Sequence, residues 1–194
     1  MASSFTRRTA ICSTSLRDGT NKREDAYGGS VENRTRLLAE VLKTITEVFP
    51  PKRVGVRFSP FSAFNDMSDS DPMATFAAAI ARANEAGLGY LHLVEGETIA
   101  ESRDPSVQAD IARLRAGFDG AYMANNGYNR QLAIDAVESG AADLIAFGRA
   151  FLANPDLVER LEKDAPLNEP DQATFYGGYA RGYTDYPTLE ELAA

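Results

Sequence analysis

The stretch DLIAFGRAFLANPDL, residues Asp143–Leu157, runs from a short apolar segment through a Gly-Arg pair into a helix. Leu144, Ile145 and Ala146 read as a buried strand, and Asn154-Pro155 reads as a cap with proline at the first helical position. Between them, Gly148 lets backbone N–H groups approach a ligand, and Arg149 offers a fork of donors. A helix N-terminus beside the pair adds a positive dipole end. Together these features suit an anion, most simply a phosphate. The other reading is a glycine turn with a surface arginine.

The same strand-then-helix pattern occurs three times upstream. RVGVRFS, residues 53–59, is a short apolar strand ended by Pro60, and Asp71-Pro72 then opens a helix that Gly87 closes. GYLHLVEG, residues 89–96, is a second strand, and Asp104-Pro105 opens the helix that ends near Gly117. FDGAYMA, residues 118–124, is a third, followed by a helix from Asn129 to Gly140. Ahead of them, SVENRTRLLAEVLKTITEVF places Leu37, Leu38, Val41, Leu42, Ile45, Val48 and Phe49 on one helical stripe. Four short strands, each followed by a helix, predict an α/β fold of parallel βα units with right-handed crossovers. No Gly-x-Gly-x-x-Gly follows the first strand, which weakens a dinucleotide-binding reading. A complete (β/α)8 barrel takes about 250 residues and eight strands. The four strands here predict half of one.

The totals narrow the function. The 194 residues are 44% hydrophobic and 25% charged, the balance of a globular domain. A net charge of −8 argues against a nucleic-acid partner, and no apolar run approaches the roughly 20 residues of a membrane span. One cysteine, Cys12, forms no internal disulfide and fits a reducing compartment such as the cytoplasm; one histidine, His92, excludes a multi-histidine metal site. The first sixteen residues are rich in Ser and Thr, carry Arg7 and Arg8, and contain no acid. They read as a disordered or non-native leader, with an organellar transit peptide as the alternative. Residues 17–165 form the expected half-barrel, and residues 166–194 an ordered polar and aromatic tail.

Five long motifs, in order, carry a family likeness: NKREDAYGGSVENRTRLLAEV, VGVRFSPFSAFNDM, YLHLVEG, AFGRAFLANPDLVERL and FYGGYARGYTDYP. From about Leu16 to Leu189 the chain resembles the C-terminal half of the Old Yellow Enzyme family, FMN-dependent ene-reductases that consume NADPH or NADH and are built on a (β/α)8 barrel. The resemblance implies that backbone amides at Asn126, Gly127, Gly148 and Arg149, with the Arg149 guanidinium, hold the FMN phosphate. It implies that Arg57 lies beside the flavin pyrimidine ring, where a cation stabilises reduced flavin; the alternative is a strand-end arginine paired with a carboxylate. Tyr176 matches an aromatic near the substrate pocket, or else simply packs. His92 reads as a barrel-filling residue or a structural hydrogen-bonding group. Asn33, Arg34 and Arg36 read as capping and salt-bridging residues, and Glu24 and Asp25 as solvated.

The family's paired His-x-x-His/Asn and its proton-donating Tyr fall, by a gapless count back from Leu16, on Phe5, Arg8 and Ala10. None of these can do that chemistry, so no catalytic residue is assigned. The expected function is reduction of the C=C bond of α,β-unsaturated carbonyls, impaired in this chain alone. The alternatives are a non-catalytic half-barrel that keeps a partial FMN phosphate site and pairs with another chain, or an unrelated phosphate-binding fragment. An inward layer of Val54, Val56, Leu91, Leu93 and Ile145, lacking its other half, predicts self-association or pairing with a complementary half-barrel.

Overall fold

The computed structural model describes residues 3–4, 14–63, 66–96, 104–177 and 179–193. Strand β1 is Ser3–Ser4, β2 Val54–Phe58, β3 Tyr90–Val94, β4 Ala121–Asn125 and β5 Leu144–Ala146. All pair in parallel, in the order β1-β2-β3-β4-β5. The four expected strands are present, and Ser3–Ser4 lies alongside Val54 and Gly55. Helix α1 spans Val31–Val48, α2 Pro72–Glu85, α3 Pro105–Arg115, α4 Arg130–Glu138, α5 Arg149–Ala153, α6 Leu157–Lys163 and α7 Leu189–Ala193. Among the described residues no helix is long and apolar enough to cross a membrane.

Local chemistry starts the helices. Asp71 accepts from the Ala74 N–H at 2.9 Å, and Asp104 accepts from the Ser106 N–H at 2.8 Å, each with proline at the next position. Ser30 and Asn129 cap α1 and α4 in the same way. The stripe on α1 is narrower than the sequence suggests. Leu38 and Leu42 are buried, whereas Leu37, Val48 and Phe49 are exposed at its margins.

One face of the sheet is closed by the helices. Val54, Val56, Phe58, Leu91, Leu93, Tyr122 and Ala124 form one cluster with Leu38, Leu42, Phe76, Ala79, Ile80, Ala83, Ile111 and Leu114. The Phe58 and Phe76 rings meet edge to face at 5.8 Å. This corrects the expected inward layer. Val54, Val56, Leu91 and Leu93 lie beneath the helices, and Ile145 packs against that core. Strand alternation therefore turns the other set outward: Gly55, Arg57, Tyr90, His92, Met123, Asn125, Leu144 and Ala146. The β5 segment is not buried either, because this three-residue edge strand has one open face and Leu144 is 48% exposed.

Asn154-Pro155 caps no following helix. Asn154 ends α5, and Asp156 precedes α6. The fully buried Asn154 amide donates to the Ala150 carbonyl at 2.8 Å and accepts from the Asn168 N–H at 2.7 Å. Arg160 pins the tail from the same place, donating to the Pro166 and Pro187 carbonyls and to Asp156. Arg34 plays the corresponding part at the other end. It is buried and donates to the carbonyls of Leu16 and Gly29 and to the Thr75 hydroxyl.

The turn before β3 depends on Gly89, whose N–H donates to the carbonyls of Pro51 and Val54. A Cβ there would stand 2.2 Å from the Lys52 carbonyl oxygen, a backbone atom that cannot swing aside. Gly89→Ala should cost about 1–3 kcal/mol of overpacking strain and lower the thermal unfolding midpoint. An unchanged midpoint would show that the 51–54 segment moves freely.

Candidate functional site

The outward face is ordered by strand register. Arg57 pairs with His92, His92 with Met123, and Met123 with Leu144, giving one row across the sheet. One step toward the C-terminal strand ends, Val94, Asn125 and Ala146 form the next row. Gly55 admits the Tyr90 ring, which fills the space a Cβ would take.

Arg57 is half-buried and donates to the Asn125 amide oxygen at 3.2 Å. Asn125 in turn donates to the Ala146 carbonyl at 2.7 Å, which fixes which end of the amide faces Arg57. Among the described residues Arg57 forms no ion pair, so the expected alternative of a carboxylate partner is not met. Its Nε is buried without a hydrogen-bond partner, and so is Nε2 of neighbouring His92. Burial lowers the pKa of the Arg57 guanidinium. Burial, and then the Arg57 charge, push the His92 imidazole down to about 4. His92 is therefore neutral at pH 7, beside a cation with little to hold.

The two strand-end loops lie side by side because Asn125 pairs with Ala146, two residues before Gly127 and Gly148 respectively. Asn126 and Gly127 both take positive φ, +94° and +70°, so the chain turns sharply over the end of β4. Gly148 has no protein atom within 4 Å of where a Cβ would sit. Its φ of −98° is open to any residue, so neither conformation nor packing within the chain demands glycine. Arg149 is exposed and makes no hydrogen bond or ion pair among the described residues. Helix α5 has only five residues, so its dipole adds less than the opening motif suggests. The loop amides and the guanidinium are the groups at this edge whose chemistry suits an anion.

Two polar stations result: a guanidinium on the sheet face held by one neutral amide, and a loop pair at the β4–β5 edge with the Arg149 guanidinium, which has no partner among the described residues. They suit a ligand with a flat polar ring and an anionic tail. Tyr176 is 94% exposed and touches Phe175 edge to face, so it fills no core. Phe5, Arg8 and Ala10 lie outside the described residues. Asn33 accepts from Arg36, and Ser30, not Asn33, caps α1. Glu24 is exposed, while Asp25 pairs with Arg23 and accepts from the Tyr27 N–H.

Sequence reading missed Asn125, which lies two residues beyond Met123 on the same face of β4 and is visible only once the register with Arg57 is known. It also missed Glu95, a buried carboxylate at the end of β3 that accepts from the hydroxyls of Tyr122 and Tyr128 at 2.6 and 2.9 Å.

Comparison with known proteins places the chain in a family. The chain is 42% identical over 179 residues to 12-oxophytodienoate reductase 1 of Oryza sativa subsp. japonica, covering 91% of this chain and 47% of that protein. It is 41% identical over 174 residues to a probable flavin mononucleotide-dependent alkene reductase of Leishmania infantum, covering 90% and 46%. Morphinone reductase superposes with a TM-score of 0.84 at 40% identity, covering 95% of this chain and 49% of that one. The old yellow enzyme of Trypanosoma cruzi gives 0.82 at 33% identity, covering 92% and 47%. The chain thus spans about half the length of the relatives it matches, and its four βα units are half of a (β/α)8 barrel. The family model for NADH:flavin oxidoreductases and NADH oxidases matches residues 13–168, through strands β2 to β5 and both strand-end loops, and the chain belongs to that family.

Proposed function

We propose that this chain is the flavin-gripping half of an FMN-dependent ene-reductase that acts on α,β-unsaturated carbonyls and draws on NADPH or NADH. The observation that carries the reading is Arg57, a half-buried guanidinium on the open sheet face with one neutral amide as its partner. A cation left so nearly unpaired suits a ring that carries delocalised negative charge. Arg57 would lie against the pyrimidine side of that ring. The N–H groups of Asn126, Gly127, Gly148 and Arg149, with the Arg149 side chain, would hold the phosphate. Tyr176, exposed and mounted on the tail, would face substrate. When bound, FMN supplies hydride chemistry between the nicotinamide and the alkene carbon. Asn125 fixes the direction of the Arg57 fork through its bond to Ala146. The single cysteine fits the cytoplasm.

Pairing with another chain is a second reading, favoured by the uncovered sheet face. That face carries Met123 and Leu144 but also Arg57, His92 and Asn125, so its apolar drive is weaker than the expected layer implied. A complementary half-barrel with polar groups for this row suits it better than a second copy.

Three measurements test these readings. Titration of the purified chain should show FMN bound more tightly than riboflavin by about tenfold, the worth of charge-assisted hydrogen bonds to one phosphate. Arg149→Ala should erase that preference; equal affinity for the two ligands in the native chain would overturn the phosphate assignment. Anaerobic reduction of the FMN-loaded chain by NADPH, followed by 2-cyclohexenone, should give little reoxidation, because Phe5, Arg8 and Ala10 offer no matched donors; fast reoxidation would place a competent donor elsewhere. Sedimentation at micromolar concentration should show a monomer in reversible exchange with larger species at moderate salt. A single tight dimer would favour a second copy as the partner.

A further inference from the structure

Glu95 has no part in the reading above, yet it touches the loop after β4 on both sides of its turn. Its backbone N–H donates to the Asn125 carbonyl at 2.9 Å, just before the turn. Its carboxylate accepts from the Tyr128 hydroxyl at 2.9 Å, just after it. The two residues between, Asn126 and Gly127, are the ones with positive φ. Glycine takes that region freely, but a side chain at φ +94° is uncommon and persists where its surroundings hold it. Glu95 is placed to do so. It is buried directly after β3, where the register with β4 fixes its backbone, and its second carboxylate oxygen accepts from the Tyr122 hydroxyl at 2.6 Å. A buried carboxylate is costly unless donors satisfy it, so the hydroxyls stabilise the acid as the acid holds the loop.

We propose that Glu95 is a positioning residue for the phosphate loop: through Tyr128 and the Asn125 carbonyl it locks the Asn126–Gly127 turn in the shape that presents backbone N–H groups to an anion. The inference rests on the assignment of that loop to the phosphate. Amides already held in place bind an anion without a further ordering cost, whereas a turn free to leave the positive-φ region must be ordered on binding. The Tyr128 bond is the part that a substitution can remove cleanly, because the Asn125 bond continues the β3–β4 ladder. Tyr122 belongs to the helix-covered core and Tyr128 packs against it. The carboxylate bonded to both therefore stands on the closed side of the sheet, away from the face that carries Arg57.

Glu95→Ala would remove the acceptor of two hydroxyls at once and destabilise the chain, so the test works from the tyrosines. Tyr128→Phe and Tyr122→Phe each delete one hydroxyl from the same carboxylate and keep the ring, but only Tyr128 adjoins the turn. Thermal unfolding checks that both variants fold. The first readout is backbone order at Asn126 and Gly127 by NMR relaxation, without ligand. Both amides should be as rigid as the adjoining strand in the native chain and in Tyr122→Phe, and mobile in Tyr128→Phe. The second is the preference for FMN over riboflavin, expected at about tenfold in the native chain. It should fall to about threefold or less in Tyr128→Phe, as for the weakening of one hydrogen bond to the phosphate, and stay near the native value in Tyr122→Phe. A rigid turn or an undiminished preference in Tyr128→Phe, or equal losses in the two variants, would overturn the proposal and leave the phosphate reading intact. A native chain with no preference for FMN would overturn the phosphate reading itself, and the proposal with it.

Discussion

Alternate residues of a parallel strand take opposite faces, and among the described residues helices close only one of them. The sheet-face part of the candidate site depends on that asymmetry. The closed face takes Val54, Val56, Phe58, Leu91 and Leu93 and packs them against α1 and α2, where burying each large apolar side chain is worth about 1.5–3 kcal/mol. The opposite face is then free to carry groups that a core would reject. Arg57, His92 and Asn125 occupy it because they alternate with the apolar set, and the register sets Arg57 beside His92 and Asn125 one row above. A one-residue slip in β2 would exchange Arg57 for Val56 or Phe58 and bury a charge beneath the helices.

The arginines show the same division of labour. Arg34 and Arg160 are buried and each holds three partners, mostly backbone carbonyls, tying distant segments to the helices. Arg57 has one neutral partner, and Arg149 none among the described residues. In a chain of net charge −8, acceptors for a cation are plentiful, so two guanidinium groups left so open are conspicuous. Among the described residues the carbonyls and carboxylates go to the structural arginines, and neither Arg57 nor Arg149 forms an ion pair. Charge-assisted recognition of an anion by Arg loses strength when an internal carboxylate competes for it, and none pairs with either arginine among the described residues.

Much of the architecture was legible because its signals are local. Asp71-Pro72 and Asp104-Pro105 mark helix starts through one side chain and one ring, and both caps form as read. The strands were legible as short apolar runs. What the runs could not reveal was which alternate set faced the helices, since Val56 and Leu93 suit a barrel interior as well as a helix-packed layer. That choice is made by the lengths and stripes of the helices, a non-local matter, and it reversed the expected apolar face. Asn154 failed for a related reason. Asn-Pro before a helix resembles a cap, but here the buried amide bonds Ala150 behind it and Asn168 ahead, a contact fourteen positions away that no local pattern carries. Of the site, Arg57, Gly148 and Arg149 stood out by type and position, while Asn125 emerged only from cross-strand register.

The two stations on this chain differ in how far they depend on anything beyond it. The loops proposed to hold the phosphate sit at adjacent ends of β4 and β5, and their geometry comes from local turns: positive φ at Asn126 and Gly127, and free space around Gly148. Their grip on an anion is set within one βα–βα unit. The ring station is different, because a flat ring laid against Arg57 has one face on this sheet and the other toward whatever stands opposite. Contacts to one face alone forgo about half of the ring's apolar burial, so affinity should be dominated by the phosphate. In the proposed site, recognition that begins at the anion and ends at the ring would thus follow from where the strands end and which way their side chains face.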